Sequence, residues 1–495
     1  MQRREFVKTI SKASLAAGLF STLSGCMKQK QPNILMIVTD DHGYADMSCT
    51  GLADDVNTPN MDKLAQNGIR FTNAYATSPI CSPSRMSLIT GVYNQRFGTY
   101  WYGGKGIHDK QYKTIPELLK PQGYTNGYVG KVHYGSPKYD SDPSRRNFPL
   151  NHGFDYFYGH TSARKHYLHH KTKYVEELER KKKKYSDNKN WFVSLRQGPM
   201  WENRKKKGQD GLTTKLFGQK ARDFIEKNKN EPFYLQLSFN AVHNFTHQLP
   251  EKYLKEHNLE GFYDWDPAKE EYMEWYRKGR KPNNPEGRAH YLGQLYYLDK
   301  EIGKVFDYLK KNNLEKDTIV IMMSDNGGST PIYANNSPFR GSKYTLYEGG
   351  IRVPLLISWP GKYKDNTVID NIVSGLDILP TICSATGTDA PDYVDGIDLN
   401  PLLKGRNSKL EHQPLIWDTG TQTAVRQGKW KLRTATDNTA QKREMVELEL
   451  GEFLYDLEND PGETTNLADK YPEKVAELKK IHKEWKQAIE DSRPI

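Results

Sequence analysis

The segment Cys81-Ser82-Pro83-Ser84-Arg85-Met86-Ser87-Leu88-Ile89-Thr90-Gly91 sets a thiol and a guanidinium four residues apart. Ser82 is a helix-capping residue type, Pro83 suits a first turn and Gly91 suits an end. The segment therefore predicts a short helix with Cys81 at its positive pole. Arg85 falls on the same face, so a cysteine-derived group and a guanidinium can converge on one small oxyanion. A thiolate phosphatase would need five residues between the pair to wrap a phosphate, and this chain has three. An ordinary buried thiol beside a capped helix is the plain alternative. Four more stretches carry polar chemistry just after apolar runs: Asp40-Asp41, Gly130-Lys131-Val132-His133, Asn240-Ala241-Val242-His243 and Asp325-Asn326-Gly327. Asp40, Asp41, Asp325 and Asn326 offer oxygen ligands only, which suits a hard divalent cation, calcium before magnesium.

The elements that must position these groups follow from hydrophobic patterning. Short apolar runs alternate with amphipathic stretches from Gln31 onward, which predicts an α/β domain with a large, mostly parallel sheet flanked by helices. Strands are expected at 33–39, 71–76, 125–129, 233–239 and 318–323, and helices at 60–66, 114–120, 212–227 and 288–312. Ligands in such sheets bind beyond the carboxyl ends of the strands, where the four polar stretches fall. Near Arg406 the pattern turns to hairpin-like strands, 423–426 and 430–433 about Gln427-Gly428, followed by a helix at 472–490. The expected division is an export segment at 1–30, a catalytic domain at 31–405 and a smaller C-terminal domain at 406–495, with antiparallel strands and one helix.

The Cys81 motif resembles that of the type I, formylglycine-dependent sulfatases of the alkaline-phosphatase-like superfamily. The resemblance implies that a maturation enzyme oxidises Cys81 to formylglycine, whose aldehyde hydrate attacks sulfur. It places one Ca2+ per chain at Asp40, Asp41, Asp325 and Asn326, with an oxygen of the modified Cys81 completing the shell. Lys131, His133, His243 and Lys343 take the remaining active-site positions, the last within Gly341-Ser342-Lys343-Tyr344-Thr345-Leu346-Tyr347-Glu348-Gly349-Gly350. Arg85, Lys131 and the metal would neutralise the sulfuryl oxygens. His243 and Lys343 would serve the leaving oxygen, and His133 would take the proton that lets sulfate depart. His42 departs mildly from the family pattern, and either reaches the pocket or fills a crevice. Leu454-Tyr455-Asp456-Leu457-Glu458-Asn459-Asp460-Pro461 resembles the family's recurrent C-terminal stretch. The run 244–250 after His243 is similar to Bacteroidota carbohydrate sulfatases acting on algal galactans such as carrageenan. A phosphoric or phosphonic monoester hydrolase on the same fold, and a glycan-binding lipoprotein without catalysis, are the alternatives.

The chain has 495 residues, 72 Lys and Arg against 61 Asp and Glu, and a formal charge of +11. That balance suits a polyanion such as a sulfated glycan. The runs 181–184 and 204–207 lack interleaved aromatics and read as exposed helix or loop faces, not as a nucleic-acid groove. Arg3-Arg4 before an apolar stretch predicts an export signal, and Leu23-Ser24-Gly25-Cys26 resembles a lipobox with Cys26 as the lipidated residue. The expected location is exported, either periplasmic or membrane-anchored through that lipid. Cys49 and Cys383 are either a disulfide or two buried thiols. Trp101-Tyr102, the His166–His170 cluster and the segment 262–280, with Trp265, Trp275 and Tyr276, are either sugar-binding surfaces or core patches.

Overall fold

The computed structural model describes residues 31–161, 167–169, 200–207, 210–260, 284–406, 410 and 412–492. The export segment with Cys26, the lysine run 181–184, His166 and His170, and the aromatic segment 262–280 lie outside these residues.

A ten-stranded sheet organises the molecule, in the order β12-β2-β11-β10-β1-β9-β3-β4-β6-β7. Its strands are β1 (Asn33–Thr39), β2 (Ile69–Tyr75), β3 (Thr125–Lys131), β4 (Tyr156–His160), β6 (Met200–Glu202), β7 (Lys205–Lys207), β9 (Phe233–Ser238), β10 (Thr318–Ser324), β11 (Leu355–Ser358) and β12 (Thr367–Ser374). A two-stranded ribbon of β5 (Leu168–His169) and β8 (Gly211–Leu212) stands apart. The central strands β10, β1, β9, β3 and β4 are all parallel, whereas β11 and β6 run against their neighbours.

Both faces of the central strands are buried, which is why they read as continuous apolar runs. Ile34, Met36 and Val38 of β1 enter one core, and Leu35 and Ile37 the other. The helices Cys81–Thr90 and Ile378–Thr386 cover the first face, and the helices Pro59–Gln66, Thr213–Asn228 and Gly287–Lys311 cover the second. The run Lys205-Lys206-Lys207 is exposed as expected but forms the edge strand β7 and not a helix or loop, because it pairs with β6, and its lysines discourage edge-to-edge pairing.

A separate antiparallel sheet, β13 (Leu415–Asp418), β14 (Gln422–Gln427), β15 (Trp430–Ala435) and β16 (Gly451–Asp456), is covered by the helix Pro472–Asp491. Its hairpin turn is Gly428-Lys429, one residue later than expected, with Gly428 at φ 55° as a tight two-residue turn demands. Cys49 and Cys383 are both free thiols and join opposite cores, so they do not form a disulfide.

Candidate active site

Register brings the four polar stretches together. Thr39 lies beside Ser324, Val38 beside Ser238, and Gly130 beside Ser238, so the carboxyl ends of β10, β1, β9 and β3 open side by side. Asp325 and Asn326, Asp40 and Asp41, His243, and Lys131 with His133 leave from those four adjacent ends. Gly130 permits the closest approach: at φ 118°, a Cβ there would stand 1.8 Å from the Ser238 carbonyl oxygen.

Cys81 enters from the helix that starts with it. All ten residues of Cys81–Thr90 are buried, and Gly91 ends the helix at φ 68°. Ser82 does not cap it. The N-cap is Ile80, without a side-chain bond, and the Ser82 hydroxyl donates instead to the Tyr134 carbonyl (3.2 Å). Cys81 still stands at the free N-terminal end.

The Cys81 thiol is 3.5 Å from Asp40 Oδ1 and 3.8 Å from Asp41 Oδ1, and Lys343 Nζ approaches Sγ at 3.1 Å. Lys343 also donates to both oxygens of Asp41 (2.6 and 2.8 Å), and Lys131 donates to Asp40. Arg85 Nε donates to Asp325 Oδ2 (2.7 Å), while its Nη1 donates to Ser238 Oγ (2.6 Å) and the Lys131 carbonyl (2.9 Å). The Arg85 Nη2 has no hydrogen-bond partner and lies 3.9 Å from Asp40. Asn326 Nδ2 donates to Asp41 Oδ1 (2.8 Å), His243 Nε2 is 3.5 Å from Asp41 Oδ2, and the Asp41 N–H donates to Asp325 (3.3 Å). Every expected site residue is thus present in one buried cluster or directly against it, except His133, which sits just beyond β3 with Nδ1 unbonded.

Burial pushes the Cys81 thiol up, and Lys131 and Lys343 only partly offset this, so an unmodified Cys81 is a neutral thiol at pH 7. That argues against thiolate chemistry at this position. Burial also holds His133 well below the ordinary imidazole value, reinforced by Lys131, Arg85 and Lys343, so His133 is neutral in this structure. Burial alone would lower the Lys343 ammonium, but the Asp41 carboxylate holds it well above its ordinary value.

A divalent cation fits this donor set. Asp40, Asp41, Asp325 and Asn326 are all at most 1% exposed, and the side-chain Oδ1 of Asn326 is buried without a protein partner. Asp40, Asp41, Cys81 and His243 offer atoms within 4.8 Å of one another, with Asp325 and Asn326 bonded alongside. The three carboxylates are balanced by Lys131, Lys343 and Arg85, so a dication would balance an anionic substrate and an anionic nucleophile together.

His42 fills a crevice. It is buried and its Nε2 meets the Asp46 carbonyl at 2.7 Å. Several neighbours are invisible from local sequence. Ser238 orients Arg85, and a small cleft over the cluster is lined by Asp41, His243, Asn244, Ser329, Tyr344 and Glu444. Two larger clefts lie elsewhere, one around Thr125 and Tyr308 and one around Arg288 and Tyr347. The chemistry, not the volume, identifies the site. Trp101 packs near Tyr344 with ring centroids 6.2 Å apart, and Tyr102 beside it is half exposed.

The Sulfatase family model matches residues 32–388, and the model for the C-terminal part of N-sulphoglucosamine sulphohydrolase matches 341–493. The chain belongs to the sulfatase family and is a sulfuric ester hydrolase. It is 29% identical to N-acetylgalactosamine-6-O-sulfatase of Bacteroides thetaiotaomicron, over 93% of this chain and 96% of that one. It is 28% identical to mouse N-acetylgalactosamine-6-sulfatase, over 94% of this chain and 88% of that one. Among solved structures, Ps i-CgsB in complex with k-i-k-neocarrahexaose superposes with a TM-score of 0.74, at 27% identity and covering 92% of this chain and 93% of that one.

Proposed function

We propose that this sulfatase removes sulfate from a sulfated poly- or oligosaccharide, a galactan of the carrageenan type foremost, using formylglycine made from Cys81 and one calcium ion. The observation that carries the reading is Cys81 itself, buried at a helix N-terminus between two carboxylates and 3.1 Å from Lys343. When formed and bound, the aldehyde hydrate and the cation supply nucleophile and Lewis acid. Asp40, Asp41, Asp325 and Asn326 hold the cation. Arg85 and Lys131 bring positive charge to the sulfuryl oxygens as charge develops there. His243 and Lys343, beside Asp41 and facing the cleft, attend the departing sugar oxygen. His133, neutral, takes the proton from the residue at position 81 that allows sulfate to leave.

Relatives named for N-acetylgalactosamine 6-sulfate and a neighbour crystallised with a carrageenan oligosaccharide support a sugar substrate. The arginine pair at 3–4 and the lipobox at Cys26 support export and lipid anchoring, which would put the enzyme where large glycans are met. The test is sulfate release from a panel of defined sulfated oligosaccharides, read by mass, beside aryl sulfate and aryl phosphate. Desulfation of a galactan oligosaccharide is the expected result. Preference for the aryl phosphate would favour the phosphoric monoester reading on the same site.

A further inference from the structure

We infer that the C-terminal sheet is a working part of the active site: Gln422 and Gln441 are positioning residues that hold Lys343 against Cys81. The inference rests on the proposed role of Lys343 at the leaving oxygen. Lys343 sits in a loop without regular structure, yet its ammonium must meet Asp41 and Sγ of Cys81 within about 3 Å. The residue after it, Tyr344, holds φ at 76°, a left-handed conformation that a tyrosine adopts only when its surroundings impose it.

Those surroundings come from two directions. The Tyr344 N–H donates to the Pro79 carbonyl (2.9 Å), two residues before Cys81. The Tyr344 carbonyl accepts from Gln422 Nε2 (2.9 Å) and from Gln441 Nε2 (2.8 Å). Gln422 returns through Oε1 to the Leu346 N–H (3.1 Å), so one amide spans the loop on the far side of Tyr344. Both glutamines are fully buried. Gln422 opens β14, and Gln441 lies in the short helix Thr439–Arg443, whose next residue, Glu444, lines the cleft over the cluster. The backbone of one residue, Tyr344, therefore ties the approach to the Cys81 helix to the C-terminal sheet and the short helix beside it, with Lys343 as its N-terminal neighbour. Lys343 N–H donates to the Gly328 carbonyl (3.1 Å) and completes the clamp.

A buried carbonyl that loses both donors moves or takes in water, and either shifts Lys343. A displacement of about 1 Å near the reacting atoms can cost on the order of 10²-fold in rate. The test compares Gln422→Met, Gln441→Met, their double variant and Lys343→Ala on 4-nitrophenyl sulfate and on phenyl sulfate, whose leaving group needs more help. Lys343→Ala should slow phenyl sulfate far more than nitrophenyl sulfate. The double glutamine variant should show the same skew, with kcat on phenyl sulfate down by up to about 10²-fold, and each single variant a smaller skew. Added to Lys343→Ala, the glutamine changes should cost nothing further.

An equal fall on both substrates, or a further fall in the Lys343→Ala background, would mean that the glutamines only support the fold, and would overturn the inference. If Lys343→Ala itself shows no skew while the wild type hydrolyses both esters, the leaving-group reading of Lys343 fails first and takes the clamp with it. Thermal unfolding of each variant keeps loss of fold apart from loss of position. Should the double variant not fold, Gln441→Met alone decides, because Gln422 still holds the loop and only the skew is at stake.

Discussion

Two buried clusters of charge invite comparison. At the strand ends, Asp40, Asp41 and Asp325 face Lys131, Lys343 and Arg85. Where the C-terminal sheet meets the catalytic part, Glu348 and Glu463 face Lys431, Arg352 and Arg426. In the second cluster the Glu348 carboxylate is surrounded: Lys431 meets one oxygen at 2.9 Å, and the Tyr75 hydroxyl (2.6 Å) and Arg352 (3.2 Å) meet the other. Lys431 also meets Glu463 at 3.0 Å, and the Glu463 carboxylate accepts from the Glu348 N–H (2.6 Å). The first cluster leaves valences open on Asn326 Oδ1 and Arg85 Nη2, with His133 Nδ1 unbonded just beyond it, whereas in the second only Glu463 Oε1, 3.0 Å from Lys431, lacks a hydrogen bond. Left-handed backbone marks both, at Asp41 (φ 57°) in the first and at Glu463 (φ 54°) in the second. Similar ingredients serve two ends. The closed cluster fastens two parts of the fold, and the open one waits for a cation and an anion.

Paired substitutions separate the two clusters most sharply. Cys81→Ser should abolish sulfate release while thermal unfolding stays near wild type, because a serine is not converted to formylglycine where the maturation enzyme requires cysteine. Lys431→Met should do the reverse. It takes the cation from the buried Glu463 and one of several partners from Glu348, and should cost roughly 3–5 kcal/mol of stability in denaturant unfolding, with activity per folded molecule largely kept. If Lys431→Met left stability unchanged, the second cluster would not be the fastening described.

Next in size is the cation. Chelation and Asp325→Ala should both suppress turnover, and added calcium should restore the chelated wild type but not the variant. Activity indifferent to exhaustive chelation would remove the metal from the site. Smaller again is His243→Ala, which should impair sugar sulfates more than nitrophenyl sulfate by about 10²–10⁴-fold at most, the range for one general acid. Equal losses on both would make His243 a binding group.

Much of this was legible in the residue order because the signals are local. The apolar run at 33–39 is β1 to the residue, and the polar groups that follow four parallel strands could only gather at the carboxyl end of the sheet. The helix at Cys81 was equally legible, but its cap was not: Ser82 is a good capping residue type, and a tertiary partner, the Tyr134 carbonyl, takes its hydroxyl instead. β2 starts at Ile69, two residues ahead of the expected Phe71, since pairing with β11 and β12 extends it past its apolar run. Ser238, Gln422, Gln441 and Glu444 carried no signal at all. Each is an ordinary polar residue whose role exists only through a contact distant in sequence.

The smallest expected effect is a pH dependence of stability away from both clusters. His152 is buried with Nδ1 2.6 Å from the Arg146 carbonyl, and burial holds its imidazole down at about 4. Between pH 6.5 and about 4 the unfolded chain takes up a proton there that the folded chain refuses, so stability falls as pH falls through that window. His152→Gln should flatten the slope by up to about 1.4 kcal/mol per pH unit, one proton's worth, in unfolding curves taken from pH 7 to 4. An unchanged slope would mean that the histidine protonates in place.

The most direct test of the central claim is mass spectrometry of the peptide containing Cys81, taken from enzyme that is actively releasing sulfate. The expected result is an aldehyde at position 81, trapped by a carbonyl reagent, in a proportion that tracks specific activity across preparations. A fully active preparation in which Cys81 remains an unmodified thiol would contradict the account.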